Sequence, residues 1–560
     1  MEPTPEQQAI IRSIGDTKIN AVAGSGKTTT VVEYARAQPA RARILYLAYN
    51  TTVKTEAIAK FQKAGLTNVK VSTAHGLAWA YIVKGTSYQD QISKKGYKAH
   101  QLVKILNLPA GFGDEKHSAH ILAIHVIKFA NYFCNSATAK VSGLNYLDTV
   151  SEEKARAFVG AHYAAIESYC RQFLALMHRG KIEITHDFYL KRFQLLAPVL
   201  PYDVILFDEG QDASGAMLDV FFRQQHATKV LVGDTHQQIY SWRHAVNSLE
   251  KAAYATLQLS TSFRFGSGIA ELATRVLGWK TTLGQGPQLT ITGGAQAQGP
   301  PRTKAVIGRS NLSVLLKAIE YVQVHQQDLR RVYFEGGLGS YSYAEDSGSL
   351  DDVLALYNGR SAQIRDPLIR QMANLDELSE YAEKTEDAPL QLMVKIVMDY
   401  GNQVQDLIKE LRRRHVADGA REEAQLFFST VHKSKGLEYD EVQLTADFIT
   451  QQTITQLDQK FTVTAPEASD MQRAVEEINL LYVAVTRARQ KVYLPAMSLP
   501  DGFRPPAEVV LYQGTTGTQL LPPPAPQPQP VSTPPPARKA PQPDPWASLQ
   551  RKLDGQAPYS

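Results

Sequence analysis

The sequence has little cysteine. Two, Cys134 and Cys170, stand among 560 residues, with no CxxC spacing. That scarcity argues against a disulfide framework and against a cysteine-held zinc site, and it fits a reducing compartment. Long apolar runs are missing as well: none approaches the ~20 residues that cross a bilayer. The first residues, MEPTPEQQAI, carry no basic run ahead of an apolar stretch, so no secretory signal is expected. There is no internal repeat of fixed period. An excess of one charge is also lacking, since 60 basic against 55 acidic side chains leave a net +5. So small an excess neither identifies nor opposes a nucleic-acid partner. What remains, 43% hydrophobic and 21% charged residues, is the balance of a soluble globular chain long enough for several domains. The expected location is cytoplasmic, with no membrane partner.

Several segments read as strands. INAVAGSGKTTTV (19–31) is a short apolar strand, a glycine turn and the start of a helix. RILYLAYN (43–50), YDVILFDEG (202–210) and TKVLVGDT (228–235) add three more. Near-continuous apolar runs such as VILF suit strands buried on both faces of a parallel sheet. Strands alternating with helical stretches imply an α/β core. Between 76 and 184 the periodicity turns helical, as in SEEKARAFVGAHYAAIESYCRQFLALMHR. A second α/β unit runs over 266–340 and resumes at 417, with helical sequence over 341–416 between. From 497 onward, and densest in LPPPAPQPQPVSTPPPARKAPQPDP, proline dominates. That tail is expected to be disordered with polyproline II character, since it cannot bury enough surface to offset its ordering entropy. Its final PWASLQRKL is a candidate docking motif for a protein partner, against the plainer reading of a solvated tail.

AVAGSGKT, Ala21 to Thr28, has the form of a phosphate-binding Walker A loop with alanine in place of the usual first glycine. Backbone N–H groups around Ala23, Gly24, Ser25 and Gly26 wrap phosphates at a helix N-terminus. Lys27 then reaches the β- and γ-phosphates, the Thr28 hydroxyl takes a Mg²⁺ position, and Thr29 continues the first turn. Asp208 and Glu209 close the strand VILF, where an α/β sheet presents ligand-binding groups. The pair reads as Asp208 for Mg²⁺ and Glu209 to activate water. These motifs imply ATP hydrolysis with Mg²⁺ and leave open what the energy drives.

Further motifs address that. AVAGSGKT, DEGQD (208–212), VGDTHQQIYSWR (232–243), SFR (262–264), VHKSKGLEYDEV (431–442) and EEINLLYVAVTRAR (476–489) together resemble superfamily 1 helicases in order and spacing. The likeness is strongest to the UvrD, PcrA and Rep group. ITHDFYLKRFQL (184–195) and GLEYDEVQLTADF (436–448) are similar to the F-box DNA helicase branch, without an F-box. The resemblance covers roughly residues 1 to 495. It implies two RecA-like domains with ATP between them, 1A (1–75 and 185–265) and 2A (266–340 and 417–496), with helical insertions 1B (76–184) and 2B (341–416).

The resemblance also implies roles. Gln7 matches the residue that reads the adenine edge, with Gln8 the alternative register. Phe263 lies where an aromatic stacks on adenine, and Glu438 where a glutamate binds the sugar. Gln237 matches the link between γ-phosphate and DNA, and Gln211 plays a similar part. Arg264 and Arg487 look like arginine fingers, whose planar guanidinium stabilises the charge built on the equatorial oxygens. Tyr49, His75, Tyr240, Trp242 and His432 match positions lining the DNA, where aromatic stacking tolerates any base. Lys433 faces phosphate, the interdomain cleft or plain surface. Three departures stand out: Gly210 replaces a larger residue, the 2B segment is short, and no RecB-type nuclease sequence follows EEINLLYVAVTRAR.

The expected function is an ATP-dependent 3′-to-5′ DNA helicase and single-strand translocase. It acts on single strands and junctions in repair or recombination, its polarity implied by the resemblance alone. The alternative is a motor that strips proteins from DNA or regulates a partner, such as an anti-phage nuclease, and unwinds little. A vestigial ATPase requires a broken catalytic position, whereas Lys27, Thr28, Asp208, Glu209, Gln237, Arg264 and Arg487 are all of competent type. Composition does not separate DNA from RNA as the track.

Overall fold

The computed structural model describes residues 2–109, 111, 116–241, 245–286, 289–296, 299–325, 327–341 and 348–513. Near the N-terminus, β1 (Thr17–Ala21), β2 (Ile44–Ala48), β3 (Val69–Thr73), β4 (Val204–Phe207), β5 (Thr228–Gly233) and β6 (Ala255–Leu259) form one sheet. Its order is β3-β2-β4-β5-β1-β6, and its pairings are all parallel. ILYLA and VILF are buried at every position, which is why neither strand alternates apolar with polar residues. The second sheet comprises β7 (Lys304–Gly308), β8 (Val332–Phe334), β9 (Leu426–Thr430), β10 (Tyr439–Leu444), β11 (Ala488–Pro495) and β12 (Val509–Tyr512). It runs β8-β9-β7-β10-β11-β12 and is again parallel. The α/β class with two parallel sheets is the expected one.

Helices interrupt each sheet. Between β3 and β4 run Ala74–Ile82, Ala99–Ile105, Ser118–Asn135, Glu153–His178 and His186–Leu196. Helix Ser118–Asn135 buries Leu122, Val126, Phe129 and Phe133 at three- and four-residue spacing, the stripe a helix buries. Between β8 and β9 run Leu350–Tyr357, Leu375–Lys384, Ala388–Tyr400 and Gln403–Arg414. The last buries Val404, Ile408 and Leu411.

The two insertions touch. His125 Nε2 lies 2.9 Å from the carbonyl of Lys384, and Lys128 Nζ donates to the carbonyl of Thr385 at 2.8 Å. The Glu386 carboxylate accepts from the backbone N–H groups of Ser151 and Glu152 at 2.6 and 3.0 Å. Burial pushes the pKa of His125 down to about 4, so its imidazole is neutral at this bridge. One apolar cluster includes Phe129 and Leu122 of the first insertion, Val353 and Leu378 of the second, and Phe334 of the second sheet.

The tail begins later than expected. The sequence reading starts it at 497, yet β12 pairs with β11 from Val492↔Val509 to Pro495↔Tyr512, and Val509 and Tyr512 are buried. VVLY is a short apolar run after Pro505, Pro506, Ala507 and Glu508, and the prolines mask it in composition. The proline-rich run and PWASLQRKL lie outside the described residues. Among the described residues no helix is long and apolar enough to cross a membrane.

Candidate active site and strand seat

The phosphate loop leaves the C-terminal end of β1. Gly24 and Gly26 sit at φ +75° and +79°, the left-handed region that glycine adopts without penalty. A Cβ on Gly24 would lie 2.5 Å from the Cβ of Arg264, so the close approach of these segments requires glycine. Helix Lys27–Ala37 starts at Gly26 without a side-chain cap, leaving its first N–H groups for an anion. The Ser25 hydroxyl is buried with no protein partner. An uncapped helix start, an orphaned hydroxyl and the Lys27 ammonium together fit a polyphosphate.

Lys27 Nζ lies 2.5 Å from Glu209 Oε1. Burial opposes its charge, but the Glu209 and Asp208 carboxylates outweigh burial and raise its pKa. Asp208 accepts from the Tyr46 hydroxyl and from the Glu209 N–H at 3.0 Å. Burial and then Glu209 raise the pKa of Asp208. Asp208 and Thr28 are the groups that would hold Mg²⁺, whose charge would neutralise phosphate oxygens. Thr29 is exposed on the first turn of the helix.

From Glu209 a hydrogen-bond chain runs away from the phosphate loop. Gln211 Nε2 donates to Glu209 Oε2 at 2.5 Å, and Gln211 Oε1 accepts from Asp234 N–H at 3.1 Å. Asp234 Oδ2 accepts from Gln237 Nε2 at 2.8 Å and from the Tyr482 hydroxyl at 2.9 Å. That hydroxyl in turn accepts from the Ala23 N–H at 3.4 Å. Lys435, in the segment after β9, pairs with buried Asp212 and donates to the Gln237 carbonyl at 2.7 Å. Burial pushes the Asp212 pKa up to about 6 even though Lys435 pulls it down. Polar contacts thus join the phosphate loop, the ends of the first sheet and the second sheet.

Tyr46, Asp212, Asp234, Lys435 and Tyr482 are parts of this network that sequence reasoning did not assign. The signal was faint for the tyrosines, each a lone hydroxyl in an aliphatic run (ILYLA, LLYVAV). It was stronger for the other three, which lie inside motifs already quoted.

Arg264 donates from Nε to Glu438 at 2.7 Å and from a terminal nitrogen to the Thr486 carbonyl at 3.0 Å. Arg487 is 1% exposed and donates to the carbonyls of Val483 and Leu437 and to the Thr486 hydroxyl. Burial and the neighbouring Arg264 work against its charge. Both guanidiniums are therefore ordered by oxygen acceptors. Glu438, expected at the sugar, here holds Arg264 and Arg489. Phe263 is 39% exposed, and its N–H donates to the Gly24 carbonyl at 2.9 Å. Gln7 Nε2 would be 3.2 Å from a Cβ on Gly26, whereas Gln8 Nε2 turns to the Pro3 carbonyl. Of the two registers, Gln7 is the one beside the phosphate loop.

The aromatics expected to line DNA meet in part. Tyr49 and Tyr240 stack at 5.9 Å between centroids, and Tyr240 lies 5.7 Å from His432. The Tyr240 hydroxyl donates to the His432 carbonyl, and Lys435 Nζ is 5.1 Å from the Tyr240 ring. Tyr49 follows β2 of the first sheet and His432 follows β9 of the second, so this cluster straddles both. His75 sits in a different group, with Asp187 at 3.4 Å and His186 and Tyr189 nearby. Trp242 lies outside the described residues.

Residues 3–256 match the family model of the UvrD/REP helicase N-terminal domain, and residues 295–498 that of the UvrD-like helicase C-terminal domain. The chain belongs to the UvrD-like helicases. Among its relatives, F-box DNA helicase 1 of Gallus gallus is 28% identical over 520 residues, covering 89% of this chain and 49% of that protein. F-box DNA helicase protein 1 of Schizosaccharomyces pombe is 27% identical over 528 residues, covering 88% of this chain and 57% of that protein. This UvrD-like helicase thus spans about half the length of those curated relatives. Its Gly210 has a packing reason: a Cβ there would lie 2.7 Å from Ser248 Oγ, whose hydroxyl donates to the Gly210 carbonyl at 2.6 Å.

Proposed function

We propose that this UvrD-like helicase is an ATP-driven motor that tracks single-stranded DNA and unwinds junctions with 3′-to-5′ polarity, in repair or recombination. The observation that carries the reading is the polar path from Lys27 through Glu209, Gln211, Asp234 and Gln237 to Lys435 beside Tyr240. It connects hydrolysis chemistry to an aromatic seat shared by both sheets. The names of the two relatives support DNA as the track.

Nucleotide phosphates compete with Glu209 for Lys27, and Glu209 is then available to take a proton from the attacking water. Arg264, at the end of the first domain's segment and bonded to Glu438 and Thr486 of the second, and Arg487 of the second domain stabilise charge on the transferring phosphoryl group, an effect of roughly 10³–10⁵ in rate for arginine fingers. Domain closure brings these groups together and hydrolysis releases them. Alternate gripping by the two halves of the seat converts that cycle into steps.

A second reading, a translocase that displaces proteins or drives a partner subunit with little unwinding, is favoured by the small second insertion, confined to helices between 350 and 414. One experiment separates them: ATP hydrolysis with and without single-stranded DNA, using Lys27→Ala as the blank, alongside unwinding of 3′-tailed and 5′-tailed duplexes. DNA-stimulated hydrolysis with unwinding of the 3′-tailed duplex alone is expected. Stimulation without unwinding supports the second reading, and hydrolysis no faster than Lys27→Ala overturns both.

A further inference from the structure

Helices Ser118–Asn135, Glu153–His178 and His186–Leu196 of the first domain frame a cavity of about 450 Å³, the size of a small ligand pocket. Its floor is apolar, with Phe133, Val141, Leu174 and Phe188 only 4–9% exposed. Its rim is basic: Lys140, Arg171, His178 and Arg192 line it, and none of the described lining residues is acidic. Lys191 shapes one wall. Its ammonium lies 4.3 Å from the centroid of the Phe133 ring and donates to the carbonyls of Ser136 and Thr138.

The rim cations differ in how they are used. Arg171 is tied to Glu167 on its own helix at 3.2 Å. Lys140 is exposed. Arg192 Nε is buried with no hydrogen-bond partner among the described residues, and such a donor is stabilised by an anion that reaches it. Asp219, which accepts from Gln194 on the same helix as Arg192, is taken up by Arg223 at 2.7 Å. The apolar surface continues past the cavity. Leu195 forms part of its wall at 41% exposure, and beyond it Leu196 and Val199 are 56% and 77% exposed. Large apolar side chains clustered at the surface beside a charged rim mark an interaction site.

The shape selects the partner. Stacking a base requires an open ring face, whereas the Phe133 ring carries Lys191 and Phe188 is 4% exposed, edge-on to Tyr88. A pocket walled by Val141, Leu174 and Leu195 instead takes an aliphatic side chain, which a sugar–phosphate chain does not carry. We propose that this face docks an acidic segment of a partner protein. One leucine-like side chain fills the cavity, a second apolar side chain lies on Leu196 and Val199, and carboxylates meet Lys140 and Arg192. The site is separate from the phosphate loop and does not depend on the motor reading.

The test is fluorescence anisotropy of a labelled glutamate-rich peptide with a central pair of leucines, titrated with the full chain. Saturable binding is expected. It should weaken about tenfold or more when the leucines become serines, and likewise in the combined variant Lys140→Glu with Arg192→Glu. Lys140→Glu alone and Leu196→Ser alter exposed side chains, so each should fold and still weaken binding severalfold. Lys409→Glu, at a side chain 70% exposed on another helix, should match wild type. No saturable binding overturns the proposal, as does equal binding of the serine peptide or a loss in Lys409→Glu as large as at the rim. So does a duplex oligonucleotide that displaces the peptide and loses affinity equally in the combined variant, because the face then belongs to nucleic acid.

Discussion

Replacing Lys435 with alanine removes the cation that compensates Asp212, whose side chain is 0% exposed. Leaving a buried carboxylate unpaired costs about 3–5 kcal/mol, but protonation limits the loss. Burial already raises Asp212 from 3.8 to about 6 with Lys435 present, a penalty of about 3 kcal/mol at 1.36 kcal/mol per unit. Without Lys435 the pKa climbs further, so at neutral pH Asp212 takes up a proton and the chain still folds. What is lost is the tie between the turn after β4 and the segment after β9. DNA-stimulated kcat is therefore expected to fall by about 10²–10³, equivalent to about 3–4 kcal/mol, with half-saturating ATP changed only a few-fold. The assay is steady-state hydrolysis with saturating oligothymidylate against none, for Lys435→Ala, Asp212→Asn and the pair combined. Residues in contact couple by about 0.5–3 kcal/mol. Stimulation kept within about threefold in Lys435→Ala, or a double variant whose effects add to within about 0.5 kcal/mol, refutes the reasoning.

Tyr46→Phe deletes the hydroxyl on Asp208; a hydrogen bond to a charged group is worth about 1.5–3 kcal/mol, so the Mg²⁺ needed for half-maximal hydrolysis is expected to rise about tenfold or more. A Mg²⁺ titration that overlays wild type removes Tyr46 from the site. Tyr240→Ala is expected to weaken strand binding by about 1–3 kcal/mol, equally for thymidylate and adenylate oligomers; a loss confined to one base contradicts a stacking seat. Gly210→Ala drives a methyl to 2.7 Å from Ser248 Oγ and is expected to destabilise by about 1–3 kcal/mol; thermal melting checks it, and Ser248→Ala in the same chain should recover part of the loss.

Strands such as VILF and VLV were legible because a parallel sheet buried on both faces demands unbroken apolar runs, and the phosphate loop because its glycines and lysine have no other common use together. The edge strand β12 was not, since four apolar residues behind a proline pair have the composition of a tail. The roles expected for Gln211 and Gln237 come from motif position alone; in the structure both meet at Asp234, and Gln211 also binds Glu209. The motif of Glu438 implies a sugar contact, whereas no local pattern foretells that its carboxylate accepts from both Arg264 and Arg489. The Asp212–Lys435 pair joins residues 223 positions apart, and no local pattern encodes a contact of that range. The bridge from Glu386 to Ser151 is illegible for the same reason.

That bridge makes the molecule a closed circuit. The sheets already meet where Lys435 binds Asp212 and the Gln237 carbonyl, and His125, Lys128 and Glu386 join their insertions a second time. Bodies held at one junction swing freely; held at two, they form a linkage in which movement at one joint loads the other. The relative placement of the two sheets is thus fixed partly at Glu386, His125 and Lys128, by residues remote from the phosphate loop.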